Sequence, residues 1–226
     1  MPPGHHIKIF STVPEGQEPV CRPYTPITPR NHKGETIFVI KCYPKCEEFP
    51  DGGKMGAFLR TVKVGDLLTM EGPMGRTTYK GNGNFHHKAK GECRATKIGL
   101  IAGGSGITPM YAVAEAIRGA KESNMDVKLV FSNKTRDDIL CKTELDQIVN
   151  DPECNNVQII HTITREQGDL GPGIKSGRVS IEMLREIGFP EPGEDTLVLQ
   201  CGPRAMIEAN KAILKEAGHD ESRLWP

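Results

Sequence analysis

The sequence predicts a two-part fold: a small antiparallel β-barrel followed by an α/β domain with a parallel sheet. Three observations carry this. Up to about residue 80, short β-like runs are split by Gly and Pro. From residue 97 onward, strand-like and helix-like stretches alternate, the pattern of a parallel sheet with helices on both faces. Between them, residues 81–96 are polar and basic and open with Gly-Asn-Gly-Asn, which reads as a linker or an exposed hairpin. With 226 residues the chain can build two modest cores. The predicted division is 1–92 and 93–226.

In the first part, residues 6–10, 36–43 and 66–71 read as strands. The 36–43 run, Thr-Ile-Phe-Val-Ile-Lys-Cys-Tyr, is the best of them because it is rich in β-branched and aromatic residues. In the second part the predicted strands are 97–102, 127–132, 157–162 and 197–201. The predicted helices are 109–120, 142–149, 180–187 and 205–217. Pro109 suits the first position of its helix, where the missing N–H has no helical partner. Gly218 suits the left-handed position after the last helix.

The charges balance, 29 Lys+Arg against 29 Asp+Glu, so nothing marks a polyanion-binding surface, and a nucleic-acid partner is not expected. No apolar run reaches membrane-spanning length. Seven scattered cysteines fit free thiols in a reducing, cytoplasmic compartment better than a disulfide framework. Cys42 and Cys46 have no matching second pair, and the histidine pairs 5–6 and 86–87 are adjacent in sequence, so no metal site is expected.

The most informative stretch is Gly99-Leu-Ile-Ala-Gly-Gly-Ser-Gly-Ile-Thr-Pro-Met110. It reads as a buried strand, a glycine turn and a helix start. Such a turn lets backbone pass close to a ligand, and the helix start offers free N–H groups to phosphate. The spacing is G-G-x-G and not the G-x-G-x-x-G fingerprint, and tight strand-to-helix turns also occur without ligands. Three other motifs accompany it. Arg22-Pro-Tyr-Thr25 offers a guanidinium for a diphosphate, a phenol for a ring or phosphate, and a hydroxyl for a ring nitrogen. Read alone, it is also an ordinary proline-bounded strand. Gly52-Gly-Lys-Met55 is a second glycine-led helix start, or a plain loop. Cys201-Gly-Pro-Arg-Ala-Met206 places a thiol at a strand end, or a small buried cysteine before a turn.

In this order the four motifs resemble those of the NADH–cytochrome b5 reductase family, a branch of the ferredoxin–NADP reductase superfamily. The reductase domain of eukaryotic nitrate reductase is closely similar. The resemblance runs over essentially the whole chain and includes Phe38–Tyr43, Glu71-Gly-Pro-Met-Gly75 and Asp137-Asp-Ile-Leu140. It implies an FAD-binding antiparallel barrel and an NAD(P)-binding α/β domain. Arg22, Pro23, Tyr24 and Thr25 then look like FAD contacts, with Arg22 at the diphosphate and Thr25 near the flavin N5. Val39, Lys41 and Tyr43 look like the strand lining the flavin, with Lys41 supplying positive charge. Gly53, Lys54, Met55 and Gly56 resemble the diphosphate loop. Thr108 resembles the residue where the glycine loop meets the ring system. Gly104 and Ser105 would face the pyridine nucleotide, and Cys201, Gly202 and Pro203 would border the nicotinamide.

The chain departs from the family at several points. Gly56 stands where the family usually has Ser, which predicts one phosphate hydrogen bond fewer. Arg204 and Ala205 replace Pro-Pro, and Leu224-Trp-Pro226 replaces a final aromatic residue. Met1–Ile7 aligns well inside the barrel, so the first strands are expected to be missing from this sequence, with weaker FAD retention. The family's NADH-using members place Asp at the end of the third strand of the second domain. Here Thr164 falls at that position beside Arg165, and Arg178 replaces a Phe, the electrostatic pattern for a 2′-phosphate.

The function implied is transfer of a hydride from NADH or NADPH to FAD, then of single electrons to a b5-type haem protein or a fused haem domain. In this reading Thr25, Lys41 and Cys201 orient or tune the reacting partners. Arg30, Lys33, Lys80 and Lys88 form a basic side for an acidic haem protein. The competing reading is a flavin-free NAD(P)H-binding module without turnover.

Overall fold

The computed structural model describes residues 1–12, 19–29, 31–47, 50–168 and 170–226. Arg30, one of the basic residues considered above, lies outside them.

The first part builds two antiparallel sheets. In one, β2 (Cys21–Tyr24), β1 (His6–Phe10) and β3 (Thr69–Met74) run side by side with β1 in the centre. In the other, β4 (Thr77–Gly81), β5 (Asn84–His87) and β6 (Gly91–Arg94) form a meander. Its first turn carries Asn82 and Gly83 at positive φ, 53° and 73°, the requirement of a tight hairpin turn. A short helix, α1 (Lys54–Leu59), lies between the two sheets in sequence.

Two expected strands differ from the structure. Residues 36–43 form no ladder, despite the best strand composition in this half. They run beside 27–28: the Ile27 N–H donates to the Ile37 carbonyl, but the Ile37 N–H donates to the Thr28 hydroxyl and not to a backbone carbonyl. Pro26 and Pro29 flank that partner segment and have no N–H to give, so regular pairing stops after one rung. The run expected at 66–71 begins at Thr69 instead. Asp66 closes a turn on Lys63, accepting its N–H through the carboxylate and donating its own N–H to the Lys63 carbonyl.

Residues 81–96 are not a linker. They form the expected hairpin, exposed on one face and buried on the other. Phe85 is fully buried, its ring centre 4.7 Å from that of Tyr79 and tilted 42° to it, and Tyr79 donates a hydrogen bond to Glu122 of the second half. Phe85, Tyr79, Ala95 and Ile27 belong to the same apolar cluster as the central strands of the second half. The two halves therefore share a core.

The second half is a six-stranded, all-parallel sheet in the order β10-β9-β8-β7-β11-β12. Its strands are β7 (Lys97–Gly103), β8 (Asp126–Asn133), β9 (Val157–Ile163), β10 (Ile174–Ser176), β11 (Thr196–Cys201) and β12 (Leu224–Trp225). The helices are α2 (Ile107–Gly119), α3 (Lys142–Val149), α4 (Ile181–Glu186) and α5 (Arg204–Glu216). Alternation along β7 sorts the faces. Ile98, Leu100 and Ala102 pack with α2 and α3, while Ile101 packs with Leu184 of α4 and Leu214 of α5. Gly99 makes room for the Phe189 ring, which would lie 2.3 Å from a Cβ there.

Pro109 sits third in its helix, because a single 3-10 turn over 104–106 leads directly into α2 at Ile107. It still lies in the first turn, where its missing N–H breaks no bond. Gly218 has φ of 96° and ends α5 as expected: its N–H reaches the Lys215 carbonyl and the His219 N–H reaches Leu214. Trp225, almost fully buried, lies 5.3 Å from the His87 ring, and Lys90 donates to the Glu221 and Leu224 carbonyls.

Candidate functional site

The sheet order reverses between β7 and β11. From β7 the chain moves outward through β8, β9 and β10, then returns to place β11 on the other side. Ligands of open parallel sheets bind at such a reversal, beyond the carboxyl ends of the strands. Both glycine-bearing motifs of this half lie there. The loop 103–106 follows β7, and Cys201-Gly202-Pro203 ends β11. A Cβ on Gly106 would sit 2.1 Å from the Cys201 carbonyl oxygen, and one on Gly202 would sit 3.1 Å from the Gly103 Cα. The two loops thus touch backbone to backbone. Gly104, by contrast, has φ of 54° and nothing within 4 Å of its Cβ position. Ser105 beside it is exposed. Together they leave an open cradle at the head of α2 that fits a phosphate-bearing ligand.

Thr108, the second residue of α2, is buried and donates to the Ser105 carbonyl at 3.2 Å. Cys201 is half-buried, and burial pushes its thiol up from the ordinary cysteine range. It stays protonated at neutral pH, so it packs and does not attack.

Farther along the crevice, three strands end together. The Arg165 N–H donates to the Lys134 carbonyl at 2.9 Å, and the Gly177 N–H donates to Ile163 at 2.8 Å. Lys134, Arg165 and Arg178 thus leave β8, β9 and β10 at one end of the sheet. Thr164 lies among them, its hydroxyl on the Asn133 carbonyl. Asn133 is buried, and neither atom of its amide has a partner among the described residues. An orphaned amide at a strand end fits a site completed by a ligand.

In the first half, Tyr24 lies near Arg22, Cys42 and Tyr43. Burial pushes its phenol up, and the Arg22 charge opposes the shift. Thr25 is buried beside it, and Pro23 is exposed. The Gly53 N–H donates to the Tyr43 carbonyl at 2.9 Å, so the loop leading into α1 rests on Tyr43. Lys54 opens that helix, and the Met55 side chain is buried beneath it. A Cβ on Gly56 would lie 3.2 Å from the Cys42 Cα. The absence of a side chain there is what lets α1 approach that segment. Val39 packs against the apolar cluster shared with the second half. Lys41 pairs with Asp138 at 2.5 Å, so its charge is already answered by a carboxylate.

A family profile for the oxidoreductase FAD-binding domain matches residues 1–79, and one for the oxidoreductase NAD-binding domain matches residues 100–212. NADH-cytochrome b5 reductase 1 of Bos taurus is 37% identical over 221 residues, covering 92% of this chain and 68% of that protein.

The chain belongs to the NADH–cytochrome b5 reductase family.

The nitrate reductase [NADH] of Volvox carteri is 36% identical over 210 residues, covering 92% of this chain and 24% of that much longer protein. Among solved structures, the cytochrome b5 reductase domain of Ulva prolifera nitrate reductase superposes with a TM-score of 0.90 at 30% identity. That match covers all of this chain and 84% of that one. The chain is accordingly an FAD-dependent NAD(P)H oxidoreductase of the b5 reductase type. Sequence reading gives no role to three residues beside the crevice, although Met206 and Asp138 lie inside motifs that carry the resemblance. Asn133 looks like the end of a strand. Met206, whose sulfur lies where a Gly103 Cβ would be, looks like helix packing. Asp138 has a signal of its own: with Thr135 three residues before it, it forms a capping box.

Proposed function

We propose that this chain takes a hydride from NADH or NADPH onto FAD and delivers single electrons to a b5-type haem, either a separate protein or a domain of the same polypeptide. The observation that carries the reading is the backbone contact of the β7 and β11 loops at the reversal of strand order, beside the open cradle at Gly104. Bound FAD converts a two-electron hydride into single electrons, and that conversion calls for no nucleophile or general base from the protein. The residues bind and orient. We assign residues 1–92 to the flavin and 93–226 to the nucleotide. Arg22 meets the diphosphate, with Tyr24 beside it and Pro23 fixing the strand. Lys54, Met55 and Gly56 hold the other side of the diphosphate through the backbone N–H groups that open α1, and Gly53, its own N–H on the Tyr43 carbonyl, brings the chain into that position. Thr25 sits near the flavin N5, and Val39, Lys41 and Tyr43 line the flavin segment. Gly104, Ser105 and Thr108 receive the nucleotide, and Cys201, Gly202 and Pro203 border the nicotinamide.

The same reading assigns the adenosine end to the tips of β8, β9 and β10. From β11 to β9 is three strand spacings, about 14 Å, a span that a dinucleotide lying across the strand ends would cross. Thr164 there carries no charge to repel a 2′-phosphate, Arg165, Arg178 and Lys134 attract one, and the nearby Glu166 is engaged by Arg136 at 2.7 and 3.0 Å. NADPH is therefore used well.

Among the described residues no helix is long and apolar enough to cross a membrane; we place the reductase in the cytoplasm on its free thiols. The exposed side of Lys33, Lys80 and Lys88 is the proposed approach for the haem partner. Lys80 is paired with Glu92 at 2.7 Å, which weakens its share.

The test is spectroscopic. The purified protein should show flavin absorption that NADPH bleaches, and it should then reduce a ferric b5-type haem domain. A folded, colourless protein that takes up no added FAD supports the flavin-free module instead. A kcat/KM for NADH more than about a hundredfold above that for NADPH, roughly 2.7 kcal/mol, overturns the nucleotide assignment.

A further inference from the structure

One ion pair joins the two halves beside the crevice, and the reductase reading does not require it. Lys41 Nζ lies 2.5 Å from the Asp138 carboxylate, across 97 residues of sequence. Each side chain is about a quarter exposed, 23% and 24%, so the pair is partly shielded from screening by solvent. Both ends are otherwise committed. Asp138 turns its second oxygen to the Thr135 N–H at 3.3 Å, and its own N–H donates to the Thr135 carbonyl. The loop holding Asp138 begins one residue after Lys134, at the tip of β8. The Arg136–Glu166 pair fastens the same loop to the tip of β9.

Lys41 lies on the segment 36–43, which has no ladder of its own. That segment is held by the Ile27–Ile37 rung, by the Ile37 N–H on Thr28, by Val39 in the shared core, by the Cys42 thiol on the Gly56 carbonyl and the Tyr43 carbonyl on the Gly53 N–H, and, as its ionic tie to the second half, by Lys41. The Lys41 ammonium also lies 5.7 Å from the centre of the Tyr43 ring, and Tyr43 in turn supports the loop entering α1 through the Gly53 N–H. A shift of Lys41 therefore moves Tyr43 and the Gly53 loop with it.

We propose that Asp138 is a positioning residue for hydride transfer: by gripping Lys41 it fixes the 36–43 segment, and the flavin site built on it, at one distance from the nucleotide sheet. The proposal rests on the reductase reading. Burial raises the Asp138 carboxyl, but the bonds from Lys41 and Thr135 outweigh it and hold the group below the ordinary carboxylate range. The grip is thus ionised at neutral pH. Misplacing reacting groups by about 1 Å costs on the order of a hundredfold in rate.

Asp138→Asn keeps the shape and the capping contact and removes the charge. Anaerobic stopped-flow reduction of the FAD-loaded protein by NADPH should show a limiting rate at least tenfold lower. FAD content and the nucleotide dissociation constant should stay within twofold of native. Asp138→Glu, which keeps the carboxylate, should recover most of the rate. A second readout needs no cofactor: in the apoprotein, amide hydrogen exchange over 36–43 should quicken about tenfold in the Asn variant and not in the Glu variant. An Asn variant that reduces at the native rate overturns the proposal. So does unchanged exchange over 36–43, which also decides the matter if the Asn variant loses its flavin. If the native protein itself takes no hydride, the reductase reading fails, while the exchange experiment still reports on the ion pair.

Discussion

Replacing Gly106 by alanine puts one methyl group where the β7 and β11 loops meet. The backbone of Gly106 itself is ready for a side chain, with φ of −64° and ψ of −6°, so any effect is steric. The added Cβ would lie 2.1 Å from the Cys201 oxygen and 2.4 Å from its carbonyl carbon. These are backbone atoms at the end of a central strand and cannot rotate away. To reach ordinary contact at 3.4 Å the two loops must part by about 1.3 Å. Overpacking of this kind costs about 1–3 kcal/mol, a fall in Tm of roughly 2–12 °C for a chain of this size. The larger effect is on rate, because in the proposed function one loop borders the nicotinamide and the other receives the phosphates of the dinucleotide. A displacement on this scale lowers flavin reduction by about a hundredfold. The assay is single-turnover reduction under anaerobic conditions, with FAD content read from the visible spectrum and expected to be unchanged. Gly119→Ala is the control: it ends α2 with open space around it and should be neutral or slightly stabilising. A Gly106→Ala protein that reduces its flavin within threefold of native, with Tm unchanged within 1 °C, refutes the argument.

Cys201→Ser should keep FAD and slow hydride transfer without abolishing it, since the proposed function gives the protonated thiol a packing role beside the nicotinamide and no covalent one; zero turnover with intact cofactor binding would contradict this. Phe85→Ala should cost about 3–5 kcal/mol in urea unfolding, since the ring is fully buried in the core shared by the two halves, and a loss under 1 kcal/mol would show the hairpin to be peripheral. Burial holds His161 and His219 below the ordinary histidine range, so the unfolded chain binds more protons there, and stability is full above about pH 6.5 and falls as pH drops toward the folded-state values. The urea midpoint should therefore be lower at pH 5 than at pH 7.5, and equal midpoints would argue against neutral buried rings.

The nucleotide half was legible because its central strands are covered on both faces and read as unbroken apolar runs. β7, β8 and β9 each lie within one residue of the expected bounds, and α3 matches them outright. The flavin half was less so, because its outcome depends on partners. Residues 36–43 have strand-forming side chains, but the segment opposite is interrupted by prolines 18 or fewer positions away in the chain, a fact no local window weighs. Around Phe85 the inward-outward alternation is real, with Phe85 and His87 buried and Asn84 exposed, yet glycines and charges on the outer face disguise it. The glycine loops of the site could be read because close backbone approach leaves a compositional trace. The Lys41–Asp138 pair could not, because nothing local to either residue specifies a partner 97 positions away.

The seat that His87 and Lys90 make for Trp225 has a consequence for how the protein is made. Lys90 and the Leu224 carbonyl it grips are 134 residues apart in the chain. At about 5–20 residues per second a ribosome needs roughly 7 to 27 seconds to cover that distance. Throughout that interval the hairpin has been made but its partner has not, and over the last stretch, once Thr196–Cys201 is made, the outer edge of β11 stands open as well. The nascent chain therefore presents an apolar socket and an unpaired strand edge together. Ribosome-associated chaperones should engage this reductase once β11 has emerged and release it only when Trp225 has docked.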